Sequence, residues 1–353
     1  MDYITGDIKQ LYRNFLVASM ASTMVMSIYS FVDTIAVGQS EGPIGAAAMA
    51  VITPLYGVLI FLAILCGIGG SVLYGNARGE GKDEKANALF TTATGLMVVL
   101  ILLAWIAFAL FHEAIFTFFG ADAELMPKVM EYARWLIWFL PIFILPTFIS
   151  SFIRNDGAPG LAMTAVIVGG IVNIFVDWFF CFPLGLGMTG AAVATDLGTS
   201  VQVIIMCSHF FRKNCTLHFV KPNHVLPAIH QTLSIGFGAS VLDLGTVILA
   251  IIMNNQIMHY IEDQIHDIKK YAKLAAAVKD EHPSLAQTLF TISVQEDGHQ
   301  AALHNEVVKI IEEHQRTHGE PPASMIAVYE YIHQKHIDKL AEARKFQDVY
   351  KSA

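Results

Sequence analysis

Long apolar runs separated by short polar turns dominate the first three quarters of the chain. Six are long enough to cross roughly 30 Å of hydrocarbon. They lie near residues 14–37, 47–75, 89–111, 130–153, 160–183 and 188–211. A seventh, SIGFGASVLDLGTVILAIIMNNQIMHYI from Ser234, is interrupted by Asp243, Asn254, Asn255 and Gln256. From Glu262 the pattern changes to charged, helix-forming sequence in three segments, 262–280, 284–317 and 322–350. The pattern predicts an all-α chain: a polytopic membrane helix bundle of six to seven spans over 1–260, then a three-helix domain over 261–353.

Composition sharpens that boundary. Of 52 charged residues, 26 fall in the last 92 positions, and 54% of the whole chain is hydrophobic. Long apolar runs on this scale call for a lipid bilayer as partner. The net charge of −8 is modest and no basic run points to nucleic acid. Cys66, Cys181, Cys207 and Cys215 form no CxxC or metal spacing and read as small buried residues. The polar start MDYITGDIKQLYRNF leads directly into an apolar helix and shows no cleavable signal peptide.

Charge also orients the spans. Lys9, Arg13, Arg78, Lys82, Lys85, Arg154, Arg212, Lys213 and Lys221 fall on one side of a six-span weave, while the opposite loops hold little beyond Lys128. The positive-inside rule then predicts a cytoplasmic amino terminus in a multi-pass protein of the cell membrane. In that orientation Asp33, Asp177 and Thr195 lie at a similar depth in the outer half. Asn173 and Asp177 are four apart and share a helix face. Polar groups inside a span cost roughly 2.5–3.5 kcal/mol each when charged, so their convergence suggests a proton or cation site lined by oxygen ligands. The same acids also fit helix ends touching headgroup water. Pro54, Pro141 and Pro146 can bend their spans, and the small residues of GAAAMA, GIGGS and GGIVN permit close helix packing.

Several segments together resemble the amino-terminal lobe of multidrug and toxic compound extrusion (MATE) transporters. They are YSFVDTIAVGQSEGPIGAAAMA, GIGGSVLYGNARGEGKDEKANALF, FIRNDGAP and NIFVDWFF…LGMTGAAVAT, in the family's order and spacing. The resemblance implies that Asp33, Asn173, Asp177 and Thr195 form the cation-coupling network. It implies a transporter rather than an enzyme, exporting small cationic organic substrates or drugs against inward H+ or Na+. It continues through LGTVILAIIMNNQIMHYI, similar to the seventh span, and then stops. A family member has two six-helix lobes that rock against each other. A single chain of this length is therefore expected to be incomplete, with a homo-oligomer replacing the missing lobe.

In the charged quarter, Pro283 with Ser284 and Gln287 reads as a helix start, and GEPPAS as the next break. Leu285, Leu289, Ile292, Glu296, His299, Leu303, Val307 and Ile310 follow helical spacing, which predicts Glu296 and His299 on an inward stripe. Glu-x-x-His recurs at Glu330 and His333, the spacing by which ferritin-like bundles hold a di-iron pair. The segment resembles a small ferritin-like or rubrerythrin-like domain, with Glu262 as a first-helix ligand. His299 and His333 equally fit core histidines capped by polar neighbours. The alternative function is thus a membrane-anchored ferritin-like metal-binding module, with the transporter half as an anchor. An inactive fusion of two unrelated segments joined near 260 is the remaining reading.

Overall fold

A computed structural model describes residues 8–222, 224–318 and 323–352. Within them the side chains of 8, 10, 11, 14, 15, 18, 43, 253–264, 300, 303, 304, 306–308, 310–315, 317, 318, 323–333, 335 and 336 lie outside the description. The described residues fall into two compact units, Met1–Ile251 and Ile252–Ala353.

Apolar length sets the elements of the first unit. Helix α1 (Ile8–Gly79) is broken at Gly42, whose φ of 71° is open to glycine without steric cost. The break divides it into two limbs, with spans over Ser19–Gly42 and Ile44–Gly79. Helices α2 (Asp83–Phe118), α3 (Met126–Asn155), α4 (Pro159–Cys181) and α5 (Gly187–Cys207) follow, and a short 3-10 turn, Ser208–Phe211, closes α5. Pro141 and Pro146 lie inside α3, which remains one helix. Helix α6 (Val225–Ala277) opens with a seventh apolar window, Val225–Ile252. Seven helices are long and apolar enough to cross a membrane, and the chain is a multi-pass membrane protein.

The seventh window does not stop at Asp243. No glycine or proline occurs between Gly245 and Pro283, so nothing in the backbone ends the helix before the charged sequence begins. The segment expected as a separate helix over 262–280 is therefore the continuation of α6.

Polar ties fix both ends of the bundle. At one end, the Arg154 guanidinium donates to Ser19 Oγ (2.6 Å) and Ser22 Oγ (3.1 Å), joining α3 to the start of α1. Asn155 Nδ2 donates to the Ser71 carbonyl at 2.9 Å, and Asn87 Oδ1 accepts from the His218 N–H at 2.9 Å. At the other end, Lys128 pairs with Glu41 (2.6 Å) and Glu131 (3.0 Å), and Glu41 Oε1 accepts from the Met188 N–H at 3.4 Å. The break in α1, the start of α3 and the α4–α5 turn are thereby held together. The cysteines are free, with Cys66, Cys181 and Cys215 buried.

The second unit contains the distal part of α6 with α7 (Pro283–His318) and α8 (Ala323–Ser352). Its described core includes Ile265, Ile268, Ala272, Ala275, Ala286 and Ala343. Ser293 Oγ donates to the Ile268 carbonyl (2.8 Å) and accepts from Gln347 Nε2 (2.9 Å). Arg344 grips Asp297 with two hydrogen bonds, and Phe290 stacks on Tyr350 at 4.5 Å. These contacts rotate the buried face of α7 onto Ala286, Ser293 and Asp297, away from the expected stripe. Leu285 is exposed and the His299 side chain is 67% exposed, so His299 does not point inward.

Candidate functional site

The site is built on the close approach of α4 and α5. A Cβ added at Gly198 would lie 2.8 Å from both Asn173 Cβ and the Gly169 carbonyl oxygen. Gly169 and Gly198 thus let the two backbones come nearer than any larger residues would allow. That approach seats Asn173 of α4 over Thr195 of α5, and Asn173 Nδ2 donates to Thr195 Oγ1 at 3.4 Å. One turn on, Asp177 is completely buried, and neither of its carboxyl oxygens has a hydrogen-bond partner.

A line of hydroxyls enters from two other helices. Tyr132 of α3 donates to Thr195 Oγ1 at 3.3 Å, and its oxygen lies 2.7 Å from the Tyr56 hydroxyl on the second limb of α1. Because Tyr132 spends its proton on Thr195, Tyr56 is the donor of that second bond. Asp33, on the first limb of α1, is 7% exposed, and its Oδ1 has no partner. Its charge interacts with Tyr56, Tyr132 and Asp177. The four residues singled out in the sequence are all buried in this unit. Both carboxyl oxygens of Asp177, one of Asp33 and the Asn173 amide oxygen lack hydrogen-bond partners, while Asn173 Nδ2, Thr195, Tyr132 and Tyr56 are tied into one network. Such a group is a ready acceptor of a proton or a small cation, since unpaired buried carboxylates are costly.

Three further polar residues are not marked by the sequence pattern. Tyr56 and Tyr132 sit in apolar runs with nothing in linear order to pair them with Thr195. Asp196 follows Thr195 directly and has no second acid or amide at helical spacing that would mark it. It is 4% exposed, and both of its carboxyl oxygens lack partners.

At the opposite end, Asp156 in the α3–α4 turn meets the segment after α5. Its carboxylate accepts from His209 Nε2 (2.7 Å), the Thr216 N–H (3.0 Å), Tyr74 Oη (3.1 Å) and the Thr216 hydroxyl. Burial pushes this carboxyl up, but the donors outweigh it and hold Asp156 below its ordinary range. Cys215 lies close by, with one ligand atom from each of Asp156, His209 and Cys215 within 4.8 Å of one another. With four donors already on its carboxylate, Asp156 acts as a structural tie.

The expected di-iron set is not assembled by the described residues. Glu296 and His299 contact each other at 3.3 Å, the His299 side chain exposed and Glu296 half-buried. The side chains of Glu262, Glu330 and His333 lie outside the described residues.

Residues 18–179 match the MatE family model. Over 248 residues the chain is 25% identical to the multidrug export protein MepA of Staphylococcus saprophyticus, covering 68% of this chain and 54% of that protein. It is 29% identical over 213 residues to the probable multidrug resistance protein YoeA of Bacillus subtilis, covering 59% and 46%. The chain thus spans about half the length of the curated relatives it matches. Among solved structures, an outward-facing conformation of a multidrug resistance MATE family transporter aligns with a TM-score of 0.62. The identity is 20%, over 97% of this chain and 69% of that one. An inward-facing conformation aligns at 0.61 and 18% identity, over 95% and 87%. In sequence over its first spans, and in fold over nearly its whole described length, the chain is similar to MATE multidrug transporters.

Proposed function

We propose that this chain carries the ion-coupling lobe of a multidrug efflux antiporter, exporting small organic cations in exchange for inward H+ or Na+. The observation that carries the reading is the buried group of Asp33, Asn173, Asp177 and Thr195, with the Asp177 carboxyl unpartnered inside a membrane bundle. An intramembrane acid with no counter-charge is poised to take up a proton or cation. Binding there neutralises the repulsion between Asp33 and Asp177 and draws α1 toward α4. Release restores it, so ion occupancy biases how the first limb of α1 packs. That bias is what an alternating-access cycle needs from its coupling site.

The basic residues near one end of the bundle support an amino terminus on the cytoplasmic face, with the site in the outer half of the cell membrane. The stretch that matches the relatives spans only about half of their length, which supports a second lobe supplied by another copy.

The test is drug efflux from cells expressing the chain, with the proton gradient collapsed or sodium withdrawn in turn. Efflux that falls to background with one of the gradients is expected. Efflux that persists without either would overturn the coupling, and none from chain confirmed in the membrane would overturn transport by this chain.

A further inference from the structure

Asp196 belongs to none of the groups that the coupling reading uses. It sits in the middle of α5, 4% exposed, and both carboxyl oxygens lack hydrogen-bond partners. The hydroxyls beside it on its own helix are committed elsewhere. Thr195 accepts from Tyr132 and Asn173, while Ser200 Oγ donates to the Asp196 main-chain oxygen at 2.7 Å.

We propose that Asp196 is a second proton-binding position of the bundle, separate from the Asp33–Asn173–Asp177–Thr195 group and linked to it through the Tyr56–Tyr132 hydroxyl pair. Helix α5 packs on α4, α3 and α1. The titratable groups of the site on those helices are Asp177 from α4, Tyr132 from α3, and Asp33 and Tyr56 from α1. Of these, Tyr56 interacts electrostatically with Asp196, and it interacts with Asp33 as well. The same tyrosine therefore senses the charge of both acids.

Neither carboxyl oxygen of Asp196 is met by a cation. Lys128 is engaged with Glu41 and Glu131, and Arg154 donates to Ser19 and Ser22. A metal ion is the poorer occupant, because hard cations demand about six oxygen ligands and only one carboxylate is free here. A proton needs a single oxygen. It bonds to one carboxyl oxygen of Asp196 when taken up from water and returns to water on release, with no other bond made or broken. Loss of that proton puts a second negative charge within reach of Tyr56 and makes proton release at Asp33 less favourable. The two positions are thereby coupled.

This inference concerns proton binding and stands apart from whether the chain transports. The test is pH-difference infrared spectroscopy of the full chain in lipid vesicles, reading the carbonyl stretch of protonated carboxyl groups. A titrating band is expected that disappears in Asp196→Asn and persists in the Asp33→Asn/Asp177→Asn double variant with its midpoint moved to lower pH, because two nearby negative charges are gone. Asp196→Glu, which keeps the acid, should retain the band at a shifted frequency. A spectrum unchanged by Asp196→Asn at every pH would overturn the proposal. So would a frequency unmoved by Asp196→Glu, or a carboxyl band that does not titrate.

Discussion

Tyr132 donates to Thr195 Oγ1 at 3.3 Å while accepting from Tyr56 at 2.7 Å, so one phenol joins three helices across the buried end of the bundle. Removing that hydroxyl leaves two partners without their bonds inside a low-dielectric interior. Interhelical hydrogen bonds in membrane bundles contribute about 0.6 kcal/mol on average and up to about 1.7. Tyr132→Phe should therefore lower thermal stability in detergent only slightly while reducing gradient-driven efflux severalfold. Parallel unfolding and transport measurements separate the two effects.

The approach of α4 to α5 depends on Gly169 and Gly198. Gly198→Ala places a methyl group 2.8 Å from Asn173 Cβ and the Gly169 carbonyl, and overpacking of this kind costs about 1–3 kcal/mol. The bundle should melt several degrees lower, with the Asn173–Thr195 bond broken. Gly160→Ala, with nothing within 4 Å of the added carbon, is the control and should leave the melting temperature unchanged.

At the opposite end, the Asp156 carboxylate is held below its ordinary range by its donors despite burial. A carboxyl with a lower value folded than unfolded adds stability above the unfolded value, and that stability is lost as pH falls through the folded one. Unfolding followed against pH should show the chain weakening as pH drops below about 4, the ordinary aspartate value. Asp156→Asn should be less stable than the parent at neutral pH and should lose most of this acid dependence.

In the second unit, the exposed His299 meets a half-buried Glu296 at the edge of the packed face. Surface substitutions of this sort usually change stability by less than about 0.5 kcal/mol. Glu296→Ala and His299→Ala should be near neutral in thermal unfolding, whereas Ser293→Val, which leaves the buried Gln347 amide without its acceptor, should cost about 1–3 kcal/mol.

The spans were legible because a bilayer demands long apolar runs, and Asn173 and Asp177 stood out because their spacing puts two polar groups on one helix face. The end of α6 was not legible. Polar residues from Asp243 to Gln256 read as interruptions, yet side-chain polarity alone does not end a helix, and with no glycine or proline between Gly245 and Pro283 α6 runs on to Ala277. The inward face of α7 was not legible for another reason. Counting large apolar residues favoured Leu285 and Ile292, while the packing turns on small or polar side chains, Ala286 and Ser293, that fit between helices. Tyr56, Tyr132 and Thr195 lie 76 and 63 residues apart, and only the fold brings them together.

The central claim is that the Asp33–Asp177 group couples ion entry to substrate exit. Its most direct test is simultaneous measurement of ion flux and organic-cation flux in vesicles containing the purified chain, for the parent and for Asp33→Asn and Asp177→Asn. The account predicts that ion flux rises when substrate is present in the parent, and that both fluxes fall to the empty-vesicle level in each variant. Coupled flux that survives both substitutions would contradict it.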